Sequence, residues 1–261
     1  GRLEVVVVPG RDGVADTAGM LKAIDRETAC AVIQQPNFYG LLEDAAPVEK
    51  AVHAQKGLFI MTVDPISLAL LKTPAEWGAD LAVGEGQPLG NSLSFGGPYL
   101  GFMAATKNLM RKIPGRIVGQ TTDLDGQRAY VLTLQAREQH IRRELAASNI
   151  CSNEALCALA ASMYLTFVGG QGLKEIAKCC HLLAVYAEQE FQKVGLELKY
   201  NQPYFREFAL KVSEPAAANR KLLANGIIGG YELEDALLLA FTEKRTKAEI
   251  DQLVAVLGGK I

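Results

Sequence analysis

Charge of one sign is what this sequence has least of: 27 Lys and Arg stand against 29 Asp and Glu, a formal net charge of −2. With a pI near 6.0, no global field gathers nucleic acid or an anionic lipid surface, so neither is expected as a partner. Long hydrophobic runs are scarce too. The longest, residues 155–168, falls short of the about 20 apolar residues of a spanning helix, and no membrane association is expected. Five cysteines (Cys30, Cys151, Cys157, Cys179, Cys180) are too few, and odd in number, for a disulfide framework in 261 residues. They suit reduced thiols and a cytoplasmic location. No secretory leader is legible, because Gly1 and Arg2 lead directly into a strand-like run. A chain that starts inside a strand is expected to lack its N-terminal part. Repeats, low-complexity tracts and blocks of like charge are missing as well.

What is present is a globular composition, 49% apolar over 261 residues, enough for one large domain or two smaller ones. Residues 3–8 (LEVVVV) are continuously apolar and β-branched, as in a strand covered on both faces. A weak helix is expected over 18–24, a strand over 29–34, and the loop PNFYG over 36–40. Pro47 suits a first helical turn, Val48 and Val52 share a face, and Gly57 stops that helix before a strand at 58–62. Short helical pieces over 67–71 and 74–77 lead to a further strand at 79–83. This alternation predicts a mostly parallel α/β sheet. The stretch 78–101 (GADLAVGEGQPLGNSLSFGGPYLG) then reads as a buried strand delivering a Gly- and Pro-rich loop, where scaffolds hold ligands. Its upstream neighbour LFIMTVD ends in Asp64. Two strand ends therefore open towards one crevice, the usual ligand position in an open α/β sheet.

From Arg116 to Ser148 the rhythm lapses into a polar connector with a turn signal at 123–126 (DLDG). Beyond it, Ser152 suits the cap of a helix over 153–168, ended by Gly169 and Gly170. In the next helix, Leu173, Ile176, Cys180, Leu183, Ala184, Ala187, Phe191 and Val194 form one stripe at a 3.6-residue period. Strand-like 205–212, a helix over 215–225, apolar 227–228, strand-like 236–240 and a helix over 246–257 complete an α+β unit.

Four segments together carry a resemblance: PNFYG, the glycine-rich loop, PGRIVG at 114–119 and REQHIRRE at 137–144. Over essentially its whole length the chain resembles subunit 1 of the glycine cleavage system P-protein, the pyridoxal-phosphate-dependent glycine dehydrogenase (decarboxylating). The resemblance implies fold type I of the pyridoxal-phosphate-dependent transferases. It also implies a partial large domain over 1–120, a connector over 121–148 and a small domain over 149–261, with the N-terminal section of the family's subunit absent. In the family's catalytic half, the loop after the 79–83 strand carries the lysine that holds the coenzyme. Here the matching place is Gln87-Pro88, and no lysine lies between Lys72 and Lys107. Neither residue has the primary amine that this chemistry needs. The resemblance therefore points to the non-lysine partner of a two-subunit enzyme, a heterotetramer, with pyridoxal phosphate held covalently by the lysine-bearing second subunit. No catalytic residue is assigned to this chain.

Asp64 is where this fold places the acid that pairs with the coenzyme's pyridine nitrogen; an Asp-Pro turn explains it equally well. Ser148 and Asn149 match positions that reach the partner's cofactor phosphate, and with Asp64 and Gln87 they make up the cofactor-side set. The family's REKATSN reads RELAASN here, so Leu145 and Ala147 remove one charge and one hydroxyl. After Tyr231 the loop is shorter than the family's. Arg137 to Asn149 reads either as a solvated charged face or, through His140, Arg142 and Arg143, as multi-donor groups suited to a carboxylate or phosphate at a substrate or subunit interface. Lys107, Arg111, Lys112 and Arg116 around Pro114 are either a basic surface or a rim that steers an acidic lipoyl carrier, the H-protein. The alternative to an active-site subunit is a non-catalytic structural or regulatory one.

Other motifs fail. Gly84-x-Gly86-x-x-x-Gly90 is off the dinucleotide fingerprint by one residue and puts Pro88 where a helix should begin. Cys179-Cys180-His181 lacks a second ligand pair at zinc spacing. His53 sits mid-helix with no partner evident in the sequence.

Overall fold

Three apolar clusters organise the chain in a computed structural model that describes residues 3–146 and 154–259. A short ladder of β1 (Gly10–Arg11) with β2 (Val14–Ala15) precedes α1 (Thr17–Ala23). The main sheet follows. Strands β3 (Cys30–Gln35), β4 (Leu58–Val63) and β5 (Leu81–Glu85) are parallel, α2 (Ala46–Ala54) crosses from β3 to β4, and β6 (Gly101–Ala105) closes the sheet antiparallel to β5.

The first cluster forms because two periodicities meet. Ala31 and Ile33 alternate inward along β3, and Phe59, Met61 and Val63 along β4, while Val48 and Val52 lie one turn apart on α2. Burying side chains of that size contributes about 1.5–3 kcal/mol each. Lys56, at φ 65°, turns the chain out of α2. Gly57 is needed for space, since a Cβ there would sit 2.7 Å from the Thr28 carbonyl oxygen.

Beyond the sheet, β7 (Ile117–Thr122) and β8 (Arg128–Thr133) form a hairpin, and α3 (Gln139–Arg142) follows. Asp123 organises the hairpin turn by accepting the N–H groups of Asp125 and Gln127 at 2.9 and 2.8 Å. The long helix α4 (Glu154–Lys193) breaks at Gly169, whose φ of 62° and ψ of 179° are not helical. A second sheet, in the order β10 (Tyr231–Glu232), β11 (Ala236–Ala240), β9 (Glu207–Lys211), is antiparallel throughout. Helices α5 (Pro215–Ala224) and α6 (Lys247–Leu257) pack with it.

Here the expected stripe is the core: Ala184, Ala187 and Phe191 of α4 are buried against Phe208, Leu210, Leu237, Ile250 and Val254. The third cluster joins the two sheets' territories through Ile66, Leu89, Ala161, Ala177 and Phe205.

One expectation needs correction. Residues 3–8 form no strand, and Leu3 and Val5 are 82% and 83% exposed. A β-branched run becomes a strand only where a neighbour completes its ladder, and β3 is the edge of the described sheet. The span read as a connector, 121–148, carries β8, which pairs with β7. Strand β6 was not anticipated; its sequence, GFMAA, has no β-branched residue and is recruited by pairing with β5. Among the described residues, α4 alone is long and apolar enough to cross a membrane by length and composition. Its backbone breaks at Gly169, where the sequence ends the helix, and its second half is the core helix packed against β9, β11 and α6. Ser152, expected as a cap, lies outside the described residues.

Candidate functional site

Parallel strands end together, and the carboxyl ends of β3, β4 and β5 open into one cavity of about 280 Å³. Gln34 and Asn37 reach it from the first strand and its loop, Thr62 and Asp64 from the second, and Glu85 and Gln87 from the third. Arg206 and Glu207 close it from the start of β9. The lining residues include no lysine.

The PNFYG loop is built around Asn37. Its Oδ1 accepts the N–H groups of Tyr39 and Leu41 at 2.9 and 3.1 Å, and its Nδ2 donates to the Gly13 carbonyl at 2.8 Å and to Glu43 at 2.7 Å. Gly40 then touches the start of β9. At φ 79° it lies so close that an added Cβ would be 2.2 Å from the Glu207 carbonyl oxygen. Phe205 N–H donates to the Gly40 carbonyl at 3.0 Å, and Leu42 N–H to that of Pro203 at 2.9 Å. The loop after β3 and the chain entering β9 are thus stitched together along one wall of the cavity.

Asp64 ends β4 as expected, but its partner is internal. Its Oδ2 lies 2.8 Å from Arg206 Nη2, with the side chains 20% and 12% exposed respectively. Its Oδ1 accepts the Ile66 N–H at 3.0 Å, and its carbonyl accepts the Ser67 hydroxyl at 2.7 Å. Burial pushes the Asp64 carboxyl above the usual range, and Arg206 and the Ile66 N–H pull it back. Glu207 is likewise pushed up by burial, opposed by Arg206.

Glu85 is committed to backbone, its Oε1 accepting the N–H groups of Gln87 and Leu100 at 2.9 and 2.7 Å. The Gln87 side-chain amide donates to the Asn91 carbonyl at 2.6 Å. It braces the glycine-rich loop.

Of the residues singled out from sequence, Asp64 and Gln87 come together in this cavity. His140, Arg142 and Arg143 are exposed on and after α3 and do not line it. Lys107, Arg111, Lys112 and Arg116 are exposed around Pro114. Ser148 and Asn149 lie outside the described residues. His53 has partners after all: Nδ1 is 2.7 Å from Glu49 and Nε2 is 2.8 Å from Asp80. Glu49 was readable at i−4; Asp80 arrives only through the fold. Cys180 is buried with its Sγ 3.4 Å from Glu243, and burial pushes its thiol up to about 11.

Arg206 and Glu207 were missed. The signal available was an adjacent pair of opposite charges, Phe-Arg-Glu, at the entrance of an otherwise apolar strand.

Comparison with known proteins decides the family. The model of the glycine cleavage system P-protein matches residues 3–257. The chain belongs to the P-protein family. Among curated relatives of this family, a probable glycine dehydrogenase (decarboxylating) subunit 1 of Syntrophomonas wolfei is 63% identical over 260 residues. That match covers 100% of this chain and 59% of the relative. The protein of the same name in Bacillus subtilis is 48% identical, over 99% of this chain and 59% of its own length. This P-protein chain therefore spans about three-fifths of the curated relatives it matches.

The crystal structure of glycine decarboxylase (P-protein) in inhibitor-bound form superposes with a TM-score of 0.92 at 38% identity, over 99% of this chain and 60% of the other. A NifS-like protein, at 15% identity and a TM-score of 0.66, shares the fold alone. That fold is type I of the pyridoxal-phosphate-dependent transferases, as the family resemblance implied.

Proposed function

We propose that this chain is the non-lysine subunit of glycine dehydrogenase (aminomethyl-transferring, decarboxylating), completing an active site whose pyridoxal phosphate is held by a lysine-bearing second subunit. The observation that carries the reading is Gln87: it stands on the loop after β5, in a crevice with no lysine in its lining, with its amide spent on the Asn91 carbonyl. A covalently held coenzyme does not fit that crevice, since it needs an amine there and a free acid, and Asp64 is already paired with Arg206. Pyridoxal phosphate on the partner supplies the electron sink for loss of carbon dioxide from glycine and passage of the aminomethyl group to the lipoyl arm of the H-protein.

What this chain adds is positioning. Ser148 and Asn149 contact the partner's cofactor phosphate, His140, Arg142 and Arg143 face the shared site or the partner subunit, and Lys107, Arg111 and Lys112 meet the carrier. The division into 1–120, 121–148 and 149–261, the heterotetramer and the cytoplasmic location belong to the same proposal.

Co-expression with the lysine-bearing subunit followed by glycine-dependent carbon dioxide exchange tests it. Substituting Arg142, Arg143 or Asn149 by Ala is expected to lower exchange at least about tenfold, or about 1.4 kcal/mol, while the complex still assembles on size exclusion. Loss of assembly alone would instead establish the structural or regulatory subunit.

A further inference from the structure

The crevice at the strand ends is more than short of a lysine. Asp64, on the large-domain sheet, and Arg206, at the edge of the small-domain sheet, meet at 2.8 Å with both side chains largely buried. The backbone that carries the guanidinium is fixed. The Arg206 carbonyl accepts the Phe241 N–H at 2.9 Å, and the residues on either side of Arg206 are clamped to the PNFYG loop, Phe205 by its N–H to the Gly40 carbonyl at 3.0 Å and Glu207 by close approach of Gly40. Arg206 Nε is buried without a hydrogen-bond partner among the described residues, so the pairing with Asp64 runs through Nη2.

The charged groups of the lining are mostly acidic. Glu85 and Glu207 join Asp64 against the single cation Arg206. An aromatic ring nitrogen seeking Asp64 would find a cation already there. A phosphate ester, carrying about −1.5 to −2 charges near neutrality, would meet an excess of carboxylates.

We propose that the Arg206 guanidinium takes at Asp64 the place that a protonated pyridine nitrogen would need, turning a coenzyme crevice into a charged latch between the two domains that keeps coenzyme out of this chain. The inference rests on the reading of this chain as the non-lysine subunit and adds to it a residue and a physical cause.

The probe is pyridoxine 5′-phosphate, which carries the ring nitrogen and the phosphate but no aldehyde, so that binding is independent of any lysine. Its affinity for the purified chain is measured by calorimetry. Arg206→Gln, which frees Asp64, is expected to bind at least about tenfold more tightly than wild type, whereas Arg206→Lys, which keeps a cation, is not. Wild type binding as tightly as a folded Arg206→Gln overturns the latch. Asp64→Asn provides a second readout should Arg206→Gln fail to fold. It strands the buried guanidinium, and the urea unfolding constant is expected to rise at least about tenfold; an unchanged midpoint overturns the proposal. Borohydride treatment of the wild-type chain with pyridoxal phosphate tests the underlying reading separately. A label confined to a single one of its own lysines, at one per chain after free coenzyme has been removed, overturns that reading whatever Arg206→Gln does.

Discussion

At the scale of single residues, tertiary partners decide the chemistry. His53 illustrates it: hydrogen bonding to Asp80, with Glu49 adding to it, raises the imidazole's pKa above the ordinary value against the opposing effect of burial. A histidine raised in the folded state contributes stability that is fully present below its unfolded value of about 6.5 and is lost as pH rises through the folded one. The gap in melting temperature between wild type and His53→Gln is therefore expected to be widest near pH 5–6 and to shrink at higher pH. Thermal unfolding between pH 5 and 9 checks this; a gap independent of pH would show that the charge plays no part. The pairing joins α2 to the residue just ahead of β5, and the same Asp80 Oδ2 accepts the Phe59 N–H at 2.8 Å. Asp64 follows the same logic, with its role set by an arginine 142 positions away in sequence.

At the scale of elements, periodic sequence was a good guide where an element buries one face of its own. The second half of α4 is the clearest case, its stripe ending on Phe191, which is fully buried and meets Phe208 edge to face with centroids 6.3 Å apart. Phe191→Ala is expected to cost about 3–5 kcal/mol, read as a lower urea midpoint in equilibrium unfolding. Helix α6 starts where its chemistry says it should. Thr246 accepts the Glu249 N–H at 3.3 Å, and the Glu249 carboxylate accepts the Thr246 N–H at 2.7 Å, a capping box legible as T-x-x-E. Elements defined by pairing were harder to read. Strand β6 exists because β5 offers it a ladder, and residues 3–8, with better strand propensity, find no strand partner among the described residues and form no strand.

At the scale of the whole molecule, charge and apolar surface are arranged unevenly despite the near-neutral total. The first half of α4 presents Leu156, Leu159, Met163 and Phe167 to solvent, Phe167 being 92% exposed, whereas the second half is core. Basic residues gather around Pro114. If that rim steers an acidic carrier, Arg111→Glu with Lys112→Glu is expected to weaken the salt dependence of carrier-dependent turnover in the reconstituted complex, through the association rate. Kinetics measured from low to physiological ionic strength check it; an unchanged slope removes the rim from the carrier site.

The sequence by itself determined the parallel α/β order from β3 to β5, the amphipathic core helix, the acid at the end of β4 and the absence of an amine on the loop after β5. Each is a local matter of period, capping or residue chemistry, and so survives translation from one dimension to three. Only the tertiary structure decided that β9 brings Arg206 and Glu207 into the crevice, that Gly40 must be glycine to let its loop meet β9, and that Asp64 faces a guanidinium. Those facts depend on which distant segments meet, and the free energy that selects such contacts comes from burial and pairing between elements, which no local pattern records.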